Sequence, residues 1–143
     1  MPYLNIDDNF ADHPKIEGLS DGAFRLHVAA LCYAAKFLTD GAIPAVRVPR
    51  LAPRFNPIFL KELLKSGLWI AHDQDYRIHD FLQWNKPRTH WEKERAAAAK
   101  RQREHRERKA AEREMAEQRA REDRKSTRQN SSHPQQSRMP SSA

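Results

Sequence analysis

The chain has 143 residues, which allows one domain with extensions. Apolar residues make up 38% of it and the net charge is +7. The charge is uneven: residues 1–86 hold 10 Lys and Arg against 10 Asp and Glu, and residues 87–143 hold 16 against 9. A basic excess of this kind favours nucleic acid as a partner, or less often an anionic membrane surface, with a solvated tail as the alternative.

Several protein classes are excluded by simple features of the sequence. Cys32 is the only cysteine, so no intrachain disulfide can form, and its place in an apolar helical pattern predicts a small core residue. The first ten residues lack the apolar run of a signal peptide, and no stretch approaches the ~18 apolar residues of a membrane span. We therefore expect a cytoplasmic protein with no membrane partner.

The first strong structural signal is a helix that begins after Ser20, a good N-cap residue. Its apolar positions recur at three- and four-residue steps over residues 23–38, and Gly41 ends it. His27 lies on this apolar stripe, and we interpret it as half-buried and hydrogen-bonded rather than as a metal ligand. An extended segment over residues 3–10 precedes the helix.

Two short helices are predicted next, after a brief strand at residues 42–44. Residues 45–52 predict the first of them, but Pro49 interrupts it, so this helix either begins late, with the proline in its first turn, or is a distorted turn. The second covers residues 57–66, with Asn56 as its N-cap and a proline at its first position.

A β-hairpin follows at once. Residues 68–70 and 76–78 are strand-like, and the five residues between them form a polar tip. Residues 80–84 carry large apolar side chains that we expect to pack back on the domain. The order of helix, strand, two short helices and hairpin predicts a winged helix-turn-helix over residues 1–86, in a fold that is mainly α with a small β-hairpin (α+β).

Residues 87–125 predict a helical arm, because they consist largely of Ala, Glu, Arg, Lys and Gln, which are strong helix formers. Thr89 and Glu92 have the spacing of a capping box, and a helix of about 35 residues would extend roughly 50 Å. The absence of a Leu, Ile or Val heptad argues against a coiled coil. We expect a long, solvent-exposed charged helix, followed by a disordered tail over residues 126–143.

Basic residues cluster where a winged helix would meet DNA. Arg54 and Asn56 precede the predicted recognition helix, which places them near the groove or a phosphate. Lys61 and Lys65 lie on that helix and are expected to contact phosphates, which position a protein without reading sequence. Residues 47–65 contain five basic residues against a single glutamate. The basic residues are Arg47, Arg50, Arg54, Lys61 and Lys65.

Two further groups complete the predicted DNA-binding set. Arg77, in the predicted wing, could reach the DNA backbone or the minor groove. Arg88, Arg95, Lys100 and Arg101 lie on the basic arm, which would add affinity for phosphates without sequence preference. The predicted partner is double-stranded DNA.

The sequence shows no catalytic or cofactor-binding constellation. Its four glycines are scattered, so there is no phosphate-binding loop. His72 and His79 could meet across the hairpin, but two ligands without a third make a weak metal site. The acidic residues Asp7, Asp8 and Asp12 are interpreted as solvated. We expect no enzymatic activity and no cofactor.

The sequence contains six short strings that are informative when taken together: residues 7–10, 13–16, 19–20, 40–44, 67–69 and 76–82. This set resembles the small helix-turn-helix proteins of actinobacterial phages and prophages, which are similar to the N-terminal winged-helix domains of phage replisome organisers and replication initiators. The resemblance covers residues 1 to about 105, and Pro49 departs from it. It implies DNA binding in phage replication or transcription regulation, inside the bacterial host.

Alternatives stay open at this point. A protein-interaction adaptor that recruits a replicative helicase or its loader would use the same charged arm, and a nuclease has little support. The sequence does not indicate an oligomeric state. Residues 124–143 resemble translated sequencing-adapter read-through, so we expect the natural protein to differ there and leave them out of functional reasoning.

Overall fold

The structure, a computed structural model, describes residues 2–131. The described residues divide into two units between Arg95 and Ala96. The described residues are mainly helical with one small antiparallel sheet, which confirms the predicted α+β class. The elements are α1 (Pro14–Glu17), α2 (Asp21–Phe37), β1 (Ala42–Pro44), a 3-10 turn (Ala45–Arg47), α3 (Val48–Leu51), α4 (Pro57–Lys65), β2 (Trp69–His72), β3 (Asp75–Ile78), α5 (Phe81–Trp84) and α6 (Arg88–Ser131).

Helix α2 is the predicted first long helix, and Ser20 caps it by accepting a hydrogen bond from the backbone N–H of Ala23. It ends at Phe37, because Leu38 adopts a left-handed conformation with φ of 53°, so Gly41 does not end it. The prediction that Cys32 is a core residue is wrong. The buried positions of the helix follow three- and four-residue steps that leave Cys32 on the solvent side.

The uncertainty around Pro49 is resolved in favour of a late helix start. A 3-10 turn comes first, and α3 then begins at Val48 with the proline in its first turn, where the missing N–H leaves no intrahelical bond unmade. The side chain of Val48 is fully buried. The second short helix, α4, has the predicted Asn56 cap and ends just before Gly67, whose φ is 78°.

The sheet has the strand order β1-β3-β2, with both neighbours antiparallel. Trp69 pairs with Ile78 and His72 with Asp75, so the hairpin turn is two residues long. The predicted five-residue tip is therefore too long, because the strands extend beyond the apolar runs that marked them. The order of α2, β1, α3, α4 and the hairpin is that of the predicted winged helix-turn-helix, and β1 lies beside β3 in the sheet.

The core lies between α2, α4 and one face of the sheet. Its largest fully buried side chains are Trp69, Leu26, Ile43, Leu63 and Val48. The segment after the hairpin packs back only in part, since Phe81 is buried whereas Leu82 and Trp84 are each 52% exposed.

Gly41 makes the passage from α2 into β1 possible. Its φ is 87°, and a Cβ there would lie 2.8 Å from the Cβ of Phe81. Both the backbone conformation and the close approach require a glycine. Phe81 can therefore pack directly over the chain at this point and close that end of the core.

Helix α6 begins at Arg88, so Thr89 is not its N-cap and the predicted capping box is wrong. The side chain of Asp40, 48 residues earlier, accepts the hydrogen bond from the backbone N–H of Arg88 at 2.7 Å. Glu92 instead pairs with the side chain of Arg88. The hydrogen-bond acceptor at the beginning of α6 is therefore the distant Asp40 and not the local Thr89.

Helix α6 also continues beyond its predicted end. Residues 126–131, expected to be disordered, are its last helical residues. The rest of the predicted disordered tail, residues 132–143, lies outside the described residues. Side chains of residues 96–130 are exposed apart from a half-buried Ala120, which agrees with the predicted solvent-exposed charged helix.

Candidate nucleic-acid interface

Helix α4 presents one side to the core and one to solvent. Leu63 is fully buried, and Leu60 and Leu64 are half-buried beside it. Ile58, Lys61 and Lys65 are exposed, and steps of three and four residues place them on one side of the helix. We call these three residues the outer face of α4. It contains two cations and one apolar side chain.

The only acidic residue of α4 does not neutralise that face. The carboxylate of Glu62 accepts two hydrogen bonds from Ser20, one from the backbone N–H at 3.0 Å and one from the hydroxyl at 2.9 Å. Glu62 is thereby held at the beginning of α2, where the helix dipole favours a negative charge. The cations of α4 are left without a carboxylate on their own helix.

The three predicted arginines of the preceding segment are exposed as well. Arg47 and Arg50 lie three residues apart on the 3-10 turn and α3, and Arg54 lies in the turn before α4. Arg54 has a φ of 58°, a left-handed conformation that costs free energy in any residue but glycine. In residues 2–131, none of Arg47, Arg50, Arg54, Lys61 and Lys65 has a carboxylate within 4 Å.

Asn56 has a structural duty that its predicted role did not include. Its side-chain oxygen accepts a hydrogen bond from the backbone N–H of Ile58 at 3.0 Å and so caps α4. The amide NH₂ group makes no hydrogen bond within the described residues and is exposed. Asn56 can therefore donate to an external acceptor while its oxygen holds the cap.

The wing is less favourable for DNA than the sequence suggested. Arg77 is exposed and pairs with Ala42 and Ile70, on the sheet face opposite Trp69 and Ile78. The hairpin end instead carries carboxylates, Asp73 in the turn and Asp75 beside it. These carboxylates would repel a phosphate at the tip. Arg77 is the one basic residue of β3 and so the one side chain of that strand that could contact a phosphate.

The predicted basic residues of α6 differ in how free their charges are. In the first unit, Arg88 bonds Glu92 at 2.7 Å, and this hydrogen bond together with the nearby charge raises the pKa of Arg88. Arg95 is exposed and has no carboxylate within 4 Å in the described residues. In the second unit, Lys100 lies 3.9 Å from Glu104, and Arg101 is exposed without such a partner.

The pair of histidines that could have met across the hairpin does not form a metal site. His72 pairs with Asp75 at the turn, whereas His79 follows the far end of β3, so the two lie at opposite ends of the hairpin. Among residues 2–131, no group of three His, Cys, Asp or Glu side chains is placed to hold a metal ion.

Sequence reasoning missed Ile58, whose side chain is 57% exposed on the outer face of α4. Its signal was present, since an apolar residue three positions before Lys61 breaks the polar side of an otherwise amphipathic helix. An exposed apolar side chain on the same face as two cations is suited to contact the methyl group of thymine.

Comparison with protein-family models, curated protein sequences and solved structures gives no significant match. The resemblance to phage helix-turn-helix proteins therefore stays a prediction. Within residues 2–131, every helix is too short or too polar to cross a membrane. The geometry of the chain itself carries the argument for function.

Proposed function

We propose that the chain is a winged helix-turn-helix protein that binds double-stranded DNA, with α4 as its recognition helix. One observation carries the proposal: five exposed cations at and before α4 have no carboxylate partner in the described residues, while Glu62 is held by Ser20. A local cluster of unpaired cations attracts the phosphate backbone, even on a domain whose net charge is zero.

The arrangement supports a division between positioning and reading. Lys61 and Lys65 supply phosphate contacts, which fix the orientation of the domain on the duplex. Residues at the beginning of a recognition helix lie nearest to base edges. Asn56 caps α4, Arg54 lies two residues before it in the preceding turn, and Ile58 is in the first turn of the helix on the outer face. These three are the candidates for sequence readout.

The biological setting rests on the resemblance described above. It favours replication initiation or transcription regulation of a phage or prophage, in the cytoplasm of a bacterial host and without enzymatic activity. The basic side chains of α6, among them Arg95 and Arg101, would add phosphate contacts that do not depend on sequence.

A salt titration of duplex affinity tests the proposal. Binding of the full chain to a fluorescein-labelled 20-base-pair duplex is followed by anisotropy from about 50 to 300 mM NaCl, a range over which counterion release dominates. Five phosphate contacts predict a slope of log K against log salt of about −4.5 or steeper. Absent or salt-independent binding would contradict the proposal.

Protein-interaction adaptor is the second candidate function, and the exposed side chains of Leu82 and Trp84 on α5 favour it. Large apolar groups at the surface are typical of protein contacts. Such an adaptor would bind a purified replicative helicase or its loader in the absence of nucleic acid, and substitution of Trp84 by Ala would weaken that binding. The DNA-binding proposal predicts that the same substitution leaves duplex affinity unchanged.

A further inference from the structure

The first unit contains a cavity of about 360 Å³ that the proposed DNA surface does not use. Its volume falls within the usual range of small-molecule sites. None of the residues of the outer face of α4 lines it. Its apolar wall includes Phe10, Ile16, Leu31, Ile78 and Phe81.

The N-terminal segment contributes one wall of this cavity and is fixed at both ends. Asn5 donates its backbone N–H to the side chain of Asn85 at 2.9 Å, and the amide of Asn85 donates back to the carbonyl of Asn5 at 3.4 Å. At the other end, the ring of Phe10 stacks on that of His27, with centroids 5.9 Å apart. The cavity is thus a formed feature of the fold and not a gap beneath a loose chain end.

His27 brings an unused hydrogen-bond donor to this cavity. Its Nδ1 accepts a hydrogen bond from the indole N–H of Trp69 at 3.0 Å, and only 3% of the residue is exposed. Burial lowers the pKa of His27 to about 4, so the ring is neutral at pH 7. A neutral imidazole whose Nδ1 accepts must carry its proton on Nε2. That N–H has no partner within the described residues, and His27 lines the cavity.

The charged groups around the cavity do not favour an ionic ligand. Lys15 contributes one positive charge, and Asp7 and Asp80 contribute two negative ones. Asp80 lies 2.7 Å from the imidazole of His79, and Asp7 accepts a hydrogen bond from the backbone N–H of Asn9. Since charges of both signs border the cavity and its wall is largely apolar, a neutral ligand fits best.

We propose that this cavity is a binding site for a small neutral aromatic compound, whose carbonyl or ring-nitrogen acceptor takes the hydrogen bond of His27 Nε2–H. The ring of the ligand occupies the apolar part of the cavity beside Phe10 and Phe81. The site does not depend on DNA binding, because it shares no residue with the outer face of α4. The ligand supplies an acceptor for the Nε2–H of His27, which has no protein partner within the described residues.

Acetophenone and ethylbenzene form a matched pair of probes, since they share a ring and a two-carbon substituent and only acetophenone has an acceptor. The full chain, labelled with ¹⁵N, is titrated with each and followed by NMR of backbone amides and of the His27 Nε2–H. Acetophenone should give saturable shifts confined to the cavity, with a Kd of about 1 mM or lower, in the range expected for a fragment of this size. It should also move the His27 Nε2–H resonance, and ethylbenzene should bind at least about fivefold more weakly.

Two phenylalanine substitutions on α2 provide the control. Leu31→Phe places a larger side chain at the cavity wall and should abolish binding of acetophenone. Val28 lies on the same helix but does not line the cavity, so Val28→Phe should leave acetophenone binding unchanged. Absent or scattered shifts at about 10 mM acetophenone, well above the expected Kd, would overturn the proposal. So would an unmoved His27 resonance, equal affinity for ethylbenzene, or equal effects of the two substitutions.

Discussion

The carboxylate of Glu62 accepts two hydrogen bonds from Ser20, one from its backbone N–H at 3.0 Å and one from its hydroxyl at 2.9 Å, and so joins α4 to the beginning of α2. This contact does two things at once. It fixes how α4 lies against α2, and it holds the only carboxylate of α4 away from the cations of the outer face. The same serine also caps α2 through Ala23, which makes it a shared element of both helices.

Removing either partner of this contact should destabilise the fold measurably. We expect Glu62→Ala to lower the free energy of unfolding by about 1 kcal/mol, and Ser20→Ala by about 1–2 kcal/mol because the N-cap is lost as well. The double variant should cost at least about 0.5 kcal/mol less than the sum. Urea denaturation of all four proteins measures this coupling, and strictly additive losses would show that the contact contributes nothing.

Gly22 allows α2 and α4 to approach closely. A Cβ at this position would overlap the ring of Phe59. Gly22→Ala should therefore lower the free energy of unfolding by about 1–3 kcal/mol, although alanine is otherwise the better helix former by about 1 kcal/mol. In a Phe59→Leu background the same change should be neutral or stabilising. Thermal unfolding of the four proteins measures these changes. Equal losses of stability from Gly22→Ala in both backgrounds would contradict the close approach of Gly22 to Phe59.

His27 should make stability depend on pH. Its pKa is about 4 in the folded protein and 6.5 in the unfolded chain, so between these values only the unfolded chain binds the proton. The free energy of unfolding should then fall as the pH drops from about 6.5 to 4, by up to about 3 kcal/mol. His27→Gln, which retains an acceptor for Trp69, should show a shallower slope in urea titrations over this range. An identical slope would show that the pH dependence does not come from His27.

Arg54 should contribute to binding while straining the turn before α4. Because φ at this position is 58°, the free energy of unfolding of Arg54→Gly should be about 0.5–1 kcal/mol higher than that of Arg54→Ala, in which the strained conformation remains. Both variants lose one cation, so the salt slope of duplex affinity should become shallower by about 1 in each. Equal stability of the two variants would argue against strain, and unchanged slopes would remove Arg54 from the interface.

Much of the fold could be predicted because its signals are local. Ser20 and Asn56 mark the beginnings of α2 and α4 by their own capping chemistry, and each is the N-cap that the sequence predicted. The position of Pro49 in the first turn of α3 was one of two predicted alternatives. Together with apolar periodicity, these local signals predicted the order of α2, β1, α3, α4 and the hairpin, but not the short helices α1 and α5.

The errors arise where distant residues meet. Asp40 replaces Thr89 at the beginning of α6, and no local pattern could reveal an acceptor 48 positions away. Cys32 seemed apolar enough for the core, but which side of α2 is buried depends on the elements that pack against it. The cavity beside His27 could not be predicted for the same reason, since Phe10 and Phe81 line it from distant parts of the chain.

The most direct test of the account is a charge reversal on the outer face of α4. In Lys61→Glu/Lys65→Glu, duplex affinity measured by anisotropy at about 100 mM NaCl should fall at least tenfold, because two phosphate contacts become repulsions. Lys36→Glu/Lys86→Glu changes the net charge equally, at the end of α2 and before α6, and should lower affinity about twofold or less. Equal losses in the two double variants, or no loss in the first, would contradict α4 as the DNA-binding helix.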